Sequence, residues 1–319
     1  MSSKDFASET DRLVAATPDA IVECVPNFSE GVDERKVASV VRSMEVEGVR
    51  LLDWSLDRDH NRSVVTIAGP PAAVAEAAVR AAGRAAELVD LRGQVGVHPR
   101  IGAADVIPFV PVCGISLADC ATLARQAGMQ IWRRFGVPVY FYGAAATRPD
   151  RVQLEDVRRG QFEGLRELAT RDTSRRPDVG GPELHVSAGA SAVGARSFLI
   201  AYNVYLRSGD IATARGIARE IRASSGGMQG VKAIGVVADG RPQISMNITD
   251  FRVTPMPEVF ANLQLLAKRK RVEIAEAELI GLIPEAAFAA GERWIGEIPG
   301  FDPERKVIER KLLRPISWP

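Results

Sequence analysis

The chain holds three histidines, His60, His98 and His185, and each sits in a polar loop segment instead of an apolar periodic one. Imidazole gives and takes protons near neutral pH, and loops fixed to a rigid scaffold are where such groups work. His98 has the most suggestive company: Gly96-Val97-His98-Pro99-Arg100-Ile101-Gly102-Ala103-Ala104-Asp105 adds a guanidinium suited to carboxylates, a carboxylate, and two glycines around a proline that fixes the chain after the imidazole. The charged stretch Asp57-Arg58-Asp59-His60-Asn61-Arg62 reads either as a hairpin connection or as a clamp for an amidine or carboxylate. Histidines tens of residues apart match no local metal motif, so no metal is expected. Gly189 to Arg196 resembles a phosphate loop only in its glycines, lacking the Lys-Ser/Thr pair that holds phosphate and Mg²⁺. Lys268-Arg269-Lys270-Arg271 is read as a solvated helix end.

Groups of this kind need elements to position them. The 319 residues, 46% apolar and 25% charged, suffice for two hydrophobic cores. Lysine and arginine (41) balance aspartate and glutamate (40), and aromatics are 6%, which argues against a nucleic-acid surface. Cys24, Cys113 and Cys120 lie in apolar stretches and read as buried thiols of a reducing compartment. The first twenty residues are polar and mixed in charge, so a flexible arm over 1–20 and a cytoplasmic protein are expected.

From Ile21 the apolar periodicity predicts strand, helix, strand, strand, helix, strand: 21–28, a helix capped by Asp33, 49–56, 63–68, a helix opened by Pro70-Pro71, and 106–112. A helix from Ser116, with Asp119 three residues on, and a strand at 137–142 are appended. After a Gly- and Pro-rich stretch at 171–195 the order recurs: strand 197–206, helix from Ile211, strands 231–237 and 242–251, helix 257–269, strand 272–282. In Gln243–Phe251, Ile244, Met246 and Ile248 alternate with Ser245, Asn247 and Thr249, so one face is core and the other is open to a ligand. The reading is an α+β protein of two ferredoxin-like (βαββαβ) subdomains, with helices on one face of each sheet, over 21–195 and 196–319.

Four motifs taken together resemble the formiminotransferase domain, in order along residues 21 to about 310: Glu23-Cys-Val-Pro-Asn-Phe-Ser-Glu-Gly31, Asp59-His-Asn-Arg-Ser63, Gly96-Val-His-Pro-Arg-Ile-Gly-Ala103 with Asp105-Val-Ile-Pro-Phe-Val-Pro111, and Gly194-Ala-Arg-Ser-Phe-Leu-Ile-Ala-Tyr-Asn203. The resemblance implies two ferredoxin-like subdomains, usually paired as a homodimer, that transfer a formimino group from N-formimino-L-glutamate to N5 of tetrahydrofolate, the co-substrate. It implies His98 as the catalytic acid and base, since one group able to move protons near pH 7 serves both N5 and the departing glutamate nitrogen.

Substrate binding would fall to Asn27, Asp57, His60, Arg62, Arg100, Asp105, Arg196, Asn203 and, on the polar strand face, Asn247; Arg62, Arg100 or Arg196 could each hold a carboxylate in bidentate fashion. The folate segment implied is 180–189, with Gly180, Gly181, His185, Ser187 and Gly189. Gln94 stands where the family often has a second histidine, and Val97 where a glutamate is frequent. Formyl transfer from N-formylglutamate and a non-catalytic folate binder are the rival expectations.

Overall fold

The computed structural model describes residues 16–58, 60–96, 99–207, 209–238, 240–296 and 298–319. The chain divides into two compact units, one running to Arg196 and taking in Pro315–Pro319, the other Ser197–Arg314.

The first unit comprises, in chain order, β1 (Ala16–Cys24), β2 (Asn27–Phe28), α1 (Glu34–Ser43), β3 (Arg50–Asp57), β4 (Arg62–Gly69), α2 (Pro71–Leu88), β5 (Ala104–Ile115), α3 (Leu117–Phe135), β6 (Val139–Gly143), α4 (Leu154–Val157), α5 (Gln161–Arg171) and β7 (Ser191–Ala195). The helix starts expected from sequence are made by the expected atoms. The Asp33 carboxylate accepts from the Arg35 and Lys36 N–H groups, Pro71 opens α2, and the Ser116 hydroxyl accepts from Asp119 N. Gly136 closes α3 in the left-handed region, φ 65°.

β1 and β2 act as successive parts of one strand between β4 and β5, with β3 outside β4. All of these pairings are antiparallel, and β7 then β6 extend the sheet as parallel neighbours of β5. Helices α1, α2 and α3 bury one face against Val22, Phe28, Leu51, Ile67, Ile107, Phe109 and Phe141. The other face is not left bare beside the parallel strands: Val106, Tyr140, Tyr142 and Ala192 pack with Val157 of α4 and Leu165 and Ala169 of α5. Parallel strands are buried on both faces, which explains why β7 is wholly buried and why helices on a single face, as expected from sequence, describe only the antiparallel part.

Four further readings change. β1 begins at Ala16, so residues 16–20 of the expected arm are strand, joined to β5. The Gly-rich stretch read as loop contains β7. Cys113 is exposed, while Cys24 and Cys120 are buried. The end of the chain also does not stay with the second unit: Ile316 N donates to Leu51 O at 3.0 Å, Arg42 donates to Pro319 O at 3.0 Å, and Ile316 and Trp318 pack on the first unit's core.

The second unit has β8 (Ile200–Leu206), α6 (Ile211–Ile221), β9 (Val231–Ala238), β10 (Arg241–Ile248), α7 (Met256–Arg269) and β11 (Ile274–Ile280), followed by short helices to Leu312. Its strands lie in the order β11-β8-β10-β9, every neighbour antiparallel. Ile244, Met246 and Ile248 are buried, whereas Ser245 and Asn247 are only half-buried, as the alternation requires. Gly235 of β9 lets α6 approach: a Cβ there would fall 2.3 Å from Arg215 N. Gly235→Ala is therefore expected to cost about 1–3 kcal/mol by overpacking, read as a lower urea midpoint with an unchanged m-value.

Candidate functional site

Register places the motifs at one end of the first unit's sheet. Phe28 pairs with Ser63 and with Ala104, Asp57 pairs with Arg62, and Val106 pairs with Ala192. The ends of β2 and β3 and the starts of β4, β5 and β7 thus coincide, bringing together residues 27–31, 57–58, 60–62, 94–96, 99–105 and 185–190.

The register between β2 and β5 shifts by one residue, from Asn27↔Val106 to Phe28↔Ala104, and Asp105 is the residue left over. Its side chain is turned into the protein, 1% exposed. One carboxylate oxygen accepts Ile101 N at 2.7 Å and the other accepts the Arg158 guanidinium. Asp105, expected to bind substrate, is thus engaged on both oxygens in shaping the loop before it. Arg100 is buried as well; its guanidinium donates to Gln94 O at 3.0 Å and to Glu163 at 2.9 Å, and its backbone oxygen accepts Phe162 N. It thereby ties the start of the 100–105 segment to Gln94.

Gln94 braces the same loop from the other side. Its amide nitrogen donates to Ser29 O and Asn61 O, both at 3.0 Å, while its Oε1 is buried with no partner among the described residues. Asn61, at φ 47°, takes Gly31 N at 2.9 Å and donates to Val95 O at 2.8 Å. Gly96 lies against the turn so closely that a Cβ would be 2.7 Å from His60 O. His98, the expected catalytic residue, lies outside the described residues, as do Asp59 and Val97.

On the 57–62 turn, His60 Nδ1 is 2.8 Å from Asp57 Oδ2, and His60 N donates to Asp57 Oδ1 at 2.9 Å. Partial burial works against ionising Asp57, but the His60 N–H, the imidazole and Arg62 outweigh it and hold its carboxyl below the ordinary range. Arg62 donates to Asn27 Oδ1 at 3.3 Å. Burial lowers the Arg62 guanidinium's pKa, with Asp57 and Asp105 opposing and Arg158 adding to the fall.

The expected folate segment touches this assembly from the far side. Ser187 O accepts Leu91 N, Ala188 O accepts Ala103 N, and His185 Nδ1 accepts Ala188 N at 3.0 Å. Gly189 is buried, at φ 68°, where a Cβ would be 2.2 Å from Ile101 O, so its place is to let two backbones meet. Gly180 is packed on the Trp132 ring, and Gly181 is exposed beside it.

Arg196 stands apart, beyond the other end of β7; its N–H donates to Phe109 O and its side chain bonds to Tyr142. Burial pushes the Tyr142 hydroxyl up to about 12, Arg196 and Arg158 opposing. Asn203 and Asn247 belong to the second unit, on the sheet face away from α6 and α7, where Asn203 donates to Glu278 at 2.9 Å. Arg158 was not foreseen: nothing local in its sequence marks it, and only the fold sets it against Asp105, fifty-three residues away. Gln94 had been noted only as a departure from a pattern.

An α+β scaffold that gathers imidazole, guanidinium, carboxylate and carboxamide groups at one sheet end has the polar groups from which an enzyme site can be built. The profile described as the formiminotransferase domain, N-terminal subdomain, matches residues 21–196, and that of the formiminotransferase domain matches residues 201–312. A glutamate formimidoyltransferase of Streptococcus pyogenes serotype M1 is 40% identical over 297 residues, covering 92% of this chain and 99% of that protein. One from Thermoplasma acidophilum is 41% identical over 298 residues, 92% of this chain and 97% of its own. The formimidoyltransferase-cyclodeaminase of Gallus gallus is 37% identical over 277 residues, 84% of this chain but 51% of that protein. The chain belongs to the formiminotransferase family.

The bracing role of Gln94 can be measured directly. Gln94→Leu removes both donors and leaves two carbonyls short of a partner, so the urea midpoint should fall by an amount worth about 1–3 kcal/mol, with faster amide exchange at Gly31 and Gly96.

Proposed function

We propose that this protein transfers the formimino group of N-formimino-L-glutamate to N5 of tetrahydrofolate, with His98 as the group that moves the proton. The observation that carries the reading is the gathering of residues 27–31, 57–58, 60–62, 94–96, 99–105 and 185–190 at one sheet end, in a chain 40% identical to a glutamate formimidoyltransferase over 92% of its length. N5 attacks the amidine carbon, the carbon's bond to the glutamate nitrogen breaks, and the proton lost by N5 is balanced by one gained by that nitrogen. Proton transfer within a transition state needs a donor and acceptor at hydrogen-bond distance, which a single imidazole at the reacting carbon would supply.

In this reading the scaffold is a pair of ferredoxin-like subdomains. The orders β5-β1/β2-β4-β3 in the first unit and β11-β8-β10-β9 in the second support it: numbered within each βαββαβ set, both run 4-1-3-2. Folate binds along 180–189, a reading supported by the way Ser187 and Ala188 join the 91–103 segment. Carboxylates of the two substrates meet Arg62 on one side. A homodimer in the cytoplasm completes the picture, on the family resemblance; among the described residues no helix is long and apolar enough to cross a membrane.

Steady-state turnover of formiminoglutamate with tetrahydrofolate tests the activity, N-formylglutamate being run beside it as donor. His98→Ala should lower kcat by roughly 10²–10⁴-fold. An unchanged kcat would remove His98 from the chemistry, and turnover of the formyl donor alone would change the substrate. Replacing His185 and Ser187 together by alanine should weaken folate binding in a titration and leave the affinity for formiminoglutamate unaltered.

A further inference from the structure

Formimino transfer deprotonates one nitrogen and protonates another on the same carbon. A single imidazole serving both must carry the proton between them, whereas two imidazoles let each nitrogen face its own partner. The described part of the site holds a second imidazole already arranged for such work.

His60 is tied to Asp57 twice, through its ring at 2.8 Å and through its own backbone N–H at 2.9 Å, so turn and ring are set together. With the carboxylate on Nδ1, the ring proton sits on that side and Nε2 is left as the basic nitrogen. The ring is not sealed in; its side chain is 49% exposed, and that of Asp57 41%. A pair so exposed contributes little to stability, so folding alone does not account for it. The turn beneath it is held with unusual care, by Asn61 to Gly31 and Val95, by Gln94 to Asn61 O, and by Gly96 against His60 O. Among the described residues, Asp57 is the charged group bonded to the ring, Arg62 acts on that carboxylate, Arg58 lies on the same turn, and Val95 and Gly96 of the facing loop carry no charge.

We infer that His60, oriented by Asp57, is a second proton-transfer residue and not only a substrate contact. This rests on the formimino-transfer reading above. Nε2 accepts the N5 proton as the N5–C bond forms. The glutamate nitrogen takes its proton from the other imidazole as the C–N bond breaks, and both rings return to their starting charge by exchange with water. No oxidant or further reactant is needed.

The test uses the full-length protein with formiminoglutamate and tetrahydrofolate, comparing wild type with His60→Gln, His60→Ala and Asp57→Asn. His60→Gln should lower kcat by about 10²-fold or more, while KM for both substrates moves only a few-fold. Added imidazole should restore turnover to His60→Ala in proportion to its concentration. Asp57→Asn removes the carboxylate that orients the ring, so its kcat should fall while KM for both substrates stays within a few-fold of wild type. A His60→Gln enzyme with unchanged kcat and a raised KM would make His60 a binding residue and overturn the proposal. So would a fall in kcat that imidazole does not rescue, with the kcat of Asp57→Asn unchanged. Wild type that turns over no formiminoglutamate would instead defeat the reading of the activity itself.

Discussion

A carboxylate taken out of water must have its oxygens met, and the Asp105 side chain meets both requirements with partners that organise the site. One oxygen holds the backbone of Ile101, which turns the chain as it leaves the His98 loop. The other holds Arg158, at the end of α4, and so ties the helices on the far face of the sheet to the start of β5. The one-residue shift between β2 and β5 is what turns this side chain inward. In regular register the strand would present a different residue, the carboxylate would lose its partners, and the loop before it would lose its anchor. The neighbouring contacts of Arg100, Gln94 and Asn61 act on a segment whose path Asp105 has already set.

Much of this was legible in the sequence because local chemistry decides it. Asp33, Pro71 and Ser116 start helices wherever they are followed by the right spacing, and the alternation in β10 sorts its residues between core and open face. The loops were legible for a different reason, since glycine, proline and charge mark where periodic structure stops. What stayed hidden depends on pairing at long range. The stretch before Arg196 has the composition of a loop, yet Ser191–Ala195 becomes a buried strand because β5 and β6 offer it hydrogen bonds on both sides. Arg100 and Asp105 are marked in sequence only by their charge; their burial and their protein partners, which the sequence did not show, come from the fold. Arg158 carries no mark in its own neighbourhood at all.

Glycine has a matching part in the assembly. Gly102 and Gly189 face each other across the 101–103 and 188–190 segments, where a Cβ on the first would fall 2.0 Å from Ala190 O. The backbones can therefore exchange Ala103 N to Ala188 O and Ala190 N to Ile101 O, both at 2.9 Å. Small residues here are a requirement of distance, as the large ones in the helical core are a requirement of volume.

The return of Pro315–Pro319 to the first unit makes the second unit an insertion within it. On the ribosome, the strands and helices up to Arg196 emerge first, but the edge of β3 is still uncovered. Its closing segment follows only after the ~120 residues of the inserted unit have been made, on the order of ten seconds at common elongation rates. An open strand edge is an invitation to pair with another chain. The nascent protein therefore passes through an interval in which its larger half is folded but unfinished, and a slow codon or a stall within the inserted unit lengthens that exposure without altering a single residue.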